Sequence, residues 1–335
     1  MAKSWNRLET WFAVFAVGVG VLIVGILGLY AYMTATATTL HPDPERVHSV
    51  PHSATPARWA DAVEQARQAV RAGLAQQNVP GISVAVGMDD DLVWAEGFGW
   101  ADLENSVPVG PETRFRIGTA SMVLTSAAVG LLLEEGRLKL DDEIQKYVPE
   151  YPRKEWPITL RQVMGHVAGI RNDSGDESPM YSRHCERPVE AIPVFGDRGL
   201  RFEPGTRFSG SNYGWILVSA AVETAAGQPF LRFMRDRVFE PLGMEDTRAE
   251  STTEPIPNRA AFYFPRFAAE PRYGLHPMRE IDLSCYAGAS VFLSTASDMV
   301  RFGLGITNGK LLQPATVQLL QTSQRLRTGE ETGYG

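Results

Sequence analysis

The chain has 335 residues, of which 44% are hydrophobic, and it carries a formal net charge of −7 at neutral pH. This length and composition allow a sizeable buried core, and the folded part suits one large domain or two interleaved ones. The acidic balance argues against nucleic-acid binding, which requires a basic face. Because no Cys and His spacing typical of zinc sites occurs, the sequence predicts neither a metal nor a cofactor.

The amino terminus predicts a membrane anchor. Residues 11–33 form an uncharged, mainly apolar run of 23 residues, long enough to cross a bilayer as one helix. Lys3 and Arg7 precede it, which predicts that residues 1–10 are a cytoplasmic tail and that the remainder is periplasmic or extracellular. A cleaved signal peptide is the alternative, since residues 35–37 read Ala-Thr-Ala. The run exceeds the roughly 7 to 15 residues of a signal core, which favours the anchor.

A linker and then a folded domain are predicted next. Residues 34–57 have the Thr, Pro and His content of an extended linker, so the domain is expected to cover residues 58–335. Alanine, valine and leucine recur at helical spacing in Arg58–Gln77, which predicts a helix. The strand-like runs Ile82–Met88 and Leu92–Gly99, separated by three aspartates, predict a hairpin.

The segment Arg114–Leu140, RFRIGTASMVLTSAAVGLLLEEGRLKL, follows the hairpin. It resembles the active-site helix of the serine β-lactamases and penicillin-binding proteins. In that family Phe-Arg-Ile-Gly leads into Ser-x-x-Lys, in which the Ser is the nucleophile and the Lys lies on the same helix face. Here the two positions are Thr119 and Met122.

These two substitutions concern proton transfer. A hydroxyl is a weak nucleophile at neutral pH and needs an adjacent base, which a Lys three residues later supplies. The Met122 thioether cannot accept the proton, and the methyl group of Thr119 crowds an attack. Ser121 offers a second hydroxyl, but Leu124 stands three residues after it. The sequence therefore predicts an impaired nucleophile.

The resemblance extends over most of residues 58–335. It implies an α/β (α+β) architecture, in which an antiparallel sheet is flanked by helices and an all-α domain is inserted. The class C and mitochondrial β-lactamase-like branch is the most similar. Thr159 and Gln162 have capping-box spacing, and either Ser211 or Asn212 is predicted to cap a helix that ends at Gly227. The segments that carry the likeness are residues 147–152, 158–170, 202–230, 239–247 and 287–302.

The second motif of the family, Tyr-x-Asn, corresponds to Gly210-Ser211-Asn212. The Tyr that acts in proton transfer is replaced by Gly210, while Asn212 keeps an amide that can bind a carbonyl. Capping the following helix is an equally good interpretation of Asn212. Tyr213 is predicted to pack within that helix.

The third family motif, Lys-Thr-Gly or His-x-Gly on a carboxy-terminal strand, is not reached. Residues 330–335 resemble the start of the first such strand, so the domain is expected to be C-terminally incomplete. Without the following strands the predicted hairpin has an exposed edge, which favours self-association and marginal stability.

Two cysteines and one histidine complete the candidates. Cys185 and Cys285 can form a disulfide outside the cytosol, but two buried free thiols are the expectation. His166 lies at an apolar helix end and is interpreted as a structural histidine.

Two functions follow from the resemblance. The favoured one is a catalytically impaired, membrane-bound relative that keeps a pocket for a small-molecule or peptide acyl ligand. The alternative is an active hydrolase of a β-lactam, a D-alanyl peptide or an ester, with Thr119 or Ser121 as nucleophile.

Overall fold

A computed structural model describes residues 2–53, 55–172, 179–267 and 270–334 of the chain. The helices are α1 (Ala2–Ala35), α2 (Ala60–Gln77), α3 (Ser121–Glu134), α4 (Leu160–Met164), α5 (Ile192–Phe195), α6 (Asn212–Ala226), α7 (Phe230–Met234), α8 (Glu240–Leu242), α9 (Ala296–Thr307) and α10 (Pro314–Gln321). The strands are β1 (Ser49–Pro51), β2 (Gly81–Met88), β3 (Asp91–Asp102), β4 (Val107–Pro108), β5 (Phe115–Arg116), β6 (Arg248–Ala249), β7 (Tyr263–Pro265), β8 (Leu275–Pro277) and β9 (Phe292–Ser294).

The chain divides into two compact units, and the first contains the amino-terminal helix. This unit comprises the described residues of Met1–Val47, Gln65–Pro80 and Ala261–Met278. Within α1, Trp11–Ala35 is long and apolar enough to span a membrane. The antiparallel pair β7 and β8 belongs to the same unit.

Asn78 ties the segments of the first unit together. Its side chain accepts a hydrogen bond from the Leu40 amide at 2.8 Å and donates to the carbonyls of Thr38 at 2.8 Å and Pro271 at 3.0 Å. Its backbone φ is +51°, a left-handed conformation that asparagine tolerates better than most residues. Asn78, which directly follows the last residue of α2, therefore joins three segments of this unit.

The second unit carries the larger sheet, which has the strand order β1-β3-β2, with β4 also paired to β3. The predicted hairpin is confirmed, since β2 and β3 pair antiparallel from Gly81 opposite Gly99 to Met88 opposite Asp91. Helix α9 packs on β2 at Gly87, where an added Cβ would lie 2.5 Å from Val300. Among the described strands, β2 pairs with β3 alone, so its other edge is unpaired.

The predicted linker contains a packed strand, and this part of the expectation is wrong. Ser49–Pro51 pairs antiparallel with β3, with Val50 opposite Gly97. A strand of three residues is too short to show the alternation by which strands are recognised in a sequence. The second unit accordingly begins at His48, ten residues before the predicted start at residue 58.

The helical part of the second unit is built around α3 and α6. Helix α6 is buried on all sides from Tyr213 to Glu223, as its nearly continuous apolar sequence predicts. Gly288 lies against it with φ +63°, and an added Cβ would lie 2.8 Å from the Trp215 carbonyl oxygen. The predicted caps are confirmed, because Thr159 and Gln162 form a capping box, Ser211 caps α6 and Gly227 ends it.

The expectation of two free thiols is wrong, because Cys185 and Cys285 form a disulfide with a Cα–Cα distance of 4.9 Å. The two residues are 100 positions apart, so their proximity depends on the tertiary fold and leaves no local signal in the sequence. The bond links the chain before α5 to the segment before β9.

The carboxyl end forms a short antiparallel turn. The Gln324 amide donates to the Tyr334 carbonyl at 2.8 Å, and Arg325 bridges to Glu331. The Arg327 amide donates to the Gly205 carbonyl at 2.8 Å, which fixes the turn against the segment that precedes α6. Gly335 lies outside the described residues.

Candidate functional site

The first motif forms a tight turn at the start of α3. Gly118–Ala120 is one turn of 3-10 helix that continues directly into α3. Thr119 is exposed, and its hydroxyl hydrogen-bonds to none of the described residues. Met122, which the sequence predicts to correspond to the family's base, lies one turn later and is 4% exposed.

Ser121 is fully buried, and its hydroxyl oxygen takes part in a hydrogen bond within the protein. It accepts a hydrogen bond from the Phe292 amide of β9 at 3.4 Å. The Ser121 carbonyl accepts from the Thr125 hydroxyl at 3.0 Å, and the same hydroxyl lies 2.9 Å from the Gly288 carbonyl. A substrate has no access to this hydroxyl, so the geometry counts against Ser121 as a nucleophile.

The arginine of the Phe-Arg-Ile-Gly sequence, Arg116, and the arginine that precedes the sequence, Arg114, have structural partners. Arg114 donates to the Asp246 carboxylate at 2.6 Å and to the Asp246 carbonyl at 2.9 Å. Arg116 forms two hydrogen bonds to Glu250, at 2.5 and 2.7 Å, and the Glu250 side chain is 1% exposed. Arg259 lies 3.3 Å from the same carboxylate. These ion pairs account for the arginines of the motif without any catalytic role.

The second motif is present as a turn without its tyrosine. Ser211 accepts from the Gly214 amide at 3.2 Å and so begins α6. Gly210 is exposed, and an added Cβ there would meet nothing within 4 Å. Asn212 is half-buried; its backbone amide donates to Asn172 Oδ1 at 3.2 Å, and its side-chain amide bonds to none of the described residues. Among the described residues, nothing occupies the Asn212 side-chain amide or the position of a Cβ at Gly210.

His166 anchors this turn. Its carbonyl accepts from the Ser209 amide at 2.9 Å, and its Nδ1 accepts from the Ser211 amide at 3.1 Å. Its Nε2 lies 3.3 Å from Nε1–H of Trp215, so both ring nitrogens face N–H donors. Burial lowers the pKa of His166 to about 4. The ring is therefore neutral at physiological pH, and the interpretation of His166 as a structural residue agrees with its contacts.

Tyr334 lies against both Met122 and His166, a position that the sequence analysis did not predict. Its hydroxyl lies 4.0 Å from Met122 Sδ, and its ring centroid is 4.7 Å from that of His166. Burial raises the pKa of the Tyr334 hydroxyl, so it is not a phenolate at neutral pH and cannot serve as a base there. Because Tyr334 is 212 positions from Met122, no local pattern places it at the site.

A cavity of about 360 Å³ lies beside Met122. Helix α3 contributes Met122, Val123, Ser126 and Ala127 to its wall, and α9, α10 and Trp215 contribute most of the rest. The volume is at the lower end of the range for small-ligand pockets, roughly 300 to 1,000 Å³. The candidate site thus consists of the turn that carries Thr119, the separate turn that carries Gly210 and Asn212, and an apolar cavity that begins at Met122.

A Ser, His and Asp cluster elsewhere in the second unit lacks the geometry of a catalytic triad. His184 Nδ1 lies 2.8 Å from Asp282 and 3.4 Å from the Ser284 hydroxyl, so both partners compete for one ring nitrogen. A triad needs the serine on one nitrogen and the carboxylate on the other. Nor do the described residues contain a group of three or more His, Cys, Asp or Glu side chains that could hold a metal ion.

Comparison with known proteins gives consistent results. The β-lactamase family model matches residues 66–335. The human mitochondrial serine β-lactamase-like protein LACTB is 30% identical over 319 residues, which cover 75% of this chain and 57% of LACTB. This chain therefore spans less than two thirds of the length of that relative.

Two solved structures show the same fold. The octameric penicillin-binding protein homologue from Pyrococcus abyssi is 24% identical with a TM-score of 0.66, over 78% of this chain and 60% of that chain. EstCE1, a hydrolase with promiscuous acyltransferase activity, is 22% identical with a TM-score of 0.69, over 80% of this chain and 78% of that chain. The expected architecture of antiparallel sheets and helices is confirmed.

Proposed function

The chain belongs to the β-lactamase family, and within that family we propose that it is a membrane-tethered member that binds an acyl ligand without hydrolysing it. The observation that carries the proposal is the apolar, buried Met122 at the position of the family's base. A Lys amine there would take the proton of the nucleophile, and a thioether cannot.

No other described group replaces that base. Thr119 is exposed, and its hydroxyl forms no hydrogen bond to any described residue. The Tyr334 hydroxyl is protonated at neutral pH and lies against Met122 Sδ. The His166 nitrogens face the amide of Ser211 and the indole N–H of Trp215. Removing a positioned base typically lowers a rate by roughly 10² to 10⁴, so hydrolysis near the uncatalysed level is expected.

Ligand binding is supported by the groups that remain. The Asn212 side-chain amide forms no hydrogen bond to any described residue and can bind a carbonyl oxygen, and the cavity beside Met122 in the same unit offers apolar surface. A small-molecule or peptide acyl ligand therefore fits the proposed role.

Tethering is supported by the amino-terminal helix and by the disulfide. Trp11–Ala35 satisfies the length and composition of a membrane span, and Lys3 and Arg7 precede it. Positive residues on that side favour an orientation with the second unit outside the cytosol. The Cys185–Cys285 bond agrees with an oxidising compartment. A cleaved signal peptide is the alternative for the same helix.

The alternative function is an active hydrolase that uses Thr119, and the exposure of Thr119 is the observation that favours it. A comparison of the full-length chain with the triple variant Thr119→Ser, Met122→Lys, Gly210→Tyr separates the two functions. A fluorescent penicillin and a chromogenic ester serve as acyl donors. The same variant with Thr119→Ala in place of Thr119→Ser is the matched control.

We expect the unchanged chain and the alanine control to remain unlabelled and the triple variant to acquire a covalent label. The backbone accepts the first atom of the new side chain, because an added Cβ at Gly210 meets no described atom within 4 Å. Labelling of the unchanged chain at a rate within tenfold of the triple variant would establish the active hydrolase instead.

A further inference from the structure

The hairpin of β7 and β8 is rich in aromatic residues. It lies in the first unit, within Ala261–Met278, of which residues 261–267 and 270–278 are described. Aromatic residues make up 10% of the whole chain, and the described part of this segment contains Phe262, Tyr263, Phe264, Phe267 and Tyr273. Arg266 and Arg272 lie among them. Aromatic side chains mixed with arginines are typical of the boundary between a membrane and water.

The hairpin contacts the end of α1. The Phe267 ring lies edge-on to the Tyr32 ring, with the two centroids 6.2 Å apart. Arg266 donates a hydrogen bond to the Thr36 carbonyl at 3.2 Å, and its other terminal nitrogen lies 3.5 Å from the Tyr32 hydroxyl. Because α1 ends at Ala35, Arg266 places a positive charge at the carboxyl end of the helix, where the helix dipole favours one.

These contacts fix the depth of the hairpin in a bilayer. The candidate span Trp11–Ala35 has 25 residues and is therefore about 37 Å long at roughly 1.5 Å per residue. The hydrocarbon core of a bilayer is about 30 Å thick, so the last turns of the span, including Tyr32, reach the headgroup layer. Arg266 and Phe267 contact Tyr32 and consequently lie at the same level.

One face of the hairpin is turned towards the end of α1. Phe264 pairs with His276, and paired residues share a face of the sheet. Arg266 lies on this face as well, because its amide donates to the Gly274 carbonyl at 3.0 Å and continues the pairing two residues after Phe264. Phe264 is 45% exposed, and His276 is also exposed. We call Phe264, Arg266 and His276 the Phe264 face.

We propose that the Phe264 face docks on the headgroup layer of the bilayer that α1 crosses. Phe264 enters this layer, and Arg266 holds the hairpin to the end of α1. The first unit is then held against the membrane surface and does not hang from it on an extended linker. The inference rests on the membrane tethering in the proposed function, and it is independent of the acyl ligand and of the loss of catalysis.

Site-directed spin labelling of the full-length chain in phosphatidylcholine liposomes tests the inference. Cys185 and Cys285 are joined, so a nitroxide is attached to one new thiol, at Phe264→Cys, His276→Cys or Pro277→Cys. Pro277 is the matched control, because it is also exposed but pairs with Tyr263 on the other face. Oxygen dissolves in the bilayer and a nickel chelate stays in water, so the ratio of their collision rates with the label reports its depth.

We expect the oxygen-to-nickel ratio to be about fivefold higher at positions 264 and 276 than at 277, because the polar chelate is excluded from the bilayer. Equal ratios at the three positions, or a higher ratio at 277, would overturn the inference.

Oxidative cross-linking in the same liposomes checks the contact with α1 independently. The pair Tyr32→Cys and Phe267→Cys should form a disulfide within one chain, since the two rings are in contact. The pair Tyr30→Cys and Phe267→Cys is the control, because residues two apart on a helix do not share a face. Equal cross-linking of the two pairs would contradict the docked arrangement. Links between two chains alone would identify a second copy as the partner of the hairpin and would also contradict it.

The intact mass of the membrane-bound chain distinguishes failure of the inference from failure of the proposed function. Cleavage after residue 37 would refute the tethering and the inference together. Retention of residues 1–37 with a label at 264 that collides mainly with the nickel chelate would overturn the inference alone. Acylation of the unchanged chain by a penicillin would refute the proposed lack of hydrolysis and leave the spin-label result intact.

Discussion

Acidification should destabilise the second unit through His166. In the neutral ring, Nδ1 accepts a hydrogen bond from the Ser211 amide at 3.1 Å, and Nε2 lies 3.3 Å from the indole nitrogen of Trp215. Both the amide and the indole N–H are hydrogen-bond donors. A protonated ring carries N–H groups at both positions, so protonation replaces a hydrogen bond by repulsion between donors. The loss of these contacts releases the turn that contains Gly210 and Asn212.

The magnitude follows from the pKa of His166 in the folded and unfolded chain. The pKa is 6.5 in the unfolded chain and about 4 in the folded one, a difference equivalent to about 3 kcal/mol of unfolding free energy. The unfolded chain binds the proton first, so this stability is complete above pH 6.5 and is lost as the pH falls towards 4. At pH 5 about 2 kcal/mol should be lost.

The assay is guanidinium denaturation of the full-length chain in detergent at pH 7.5 and pH 5, compared with His166→Asn. Asparagine does not titrate, keeps an acceptor near Nδ1 and tolerates the φ of +58° at this position. The contributions of the other titrating groups to the pH dependence are the same in both proteins and cancel in the difference. Equal losses of unfolding free energy in the wild type and in the variant would refute the reasoning.

Three further predictions concern stability. Cys285→Ala should lower the unfolding free energy by about 4 kcal/mol, since the bond to Cys185 closes a loop of 100 residues; a reductant should then destabilise the wild type but not the variant. Arg116→Met should lower the unfolding free energy by about 3 kcal/mol, because the buried Glu250 carboxylate loses its two hydrogen bonds to Arg116 and keeps the 3.3 Å contact to Arg259. A loss below about 1 kcal/mol in chemical denaturation would contradict this. Gly288→Ala should lower the unfolding free energy by about 2 kcal/mol or more, because the left-handed backbone strains an alanine and its Cβ would collide with α6. The variant should therefore have a lower melting temperature, and an unchanged melting temperature would exclude that strain.

The features that the sequence predicted correctly are those with short-range causes. The β2–β3 hairpin, the Thr159 capping box and the cap at Ser211 each depend on residues within a few positions of one another. Gly227 ends α6 because its left-handed φ of +63° suits glycine. The family resemblance added the overall architecture, which local patterns alone do not specify.

The features that the sequence did not predict depend on contacts between distant parts of the chain. Tyr334 reaches Met122 across 212 positions, and Cys185 reaches Cys285 across 100. The expectation that Ser121 offers an alternative hydroxyl did not include its burial by β9, which begins at Phe292. The roles assigned to Thr119, Met122, Gly210 and Asn212 remain predictions.

Arg114 and Arg116, at the first motif, have structural roles that do not depend on the chemistry of the family. Arg114 and Arg116 bind Asp246 and Glu250, and these pairs hold the start of α3 whether or not a nucleophile follows. Both arginines therefore have a role in folding that does not depend on catalysis. The chemistry requires the side chains at positions 119 and 122, which the ion pairs do not constrain.

Mass spectrometry of the intact full-length chain after incubation with a penicillin tests the central claim most directly. The account predicts no acyl adduct on the unchanged chain, and an adduct in peptide 117–137 of the Thr119→Ser, Met122→Lys, Gly210→Tyr variant that is absent from its Thr119→Ala counterpart. An adduct on residue 119 of the unchanged chain that forms and hydrolyses within minutes would contradict it.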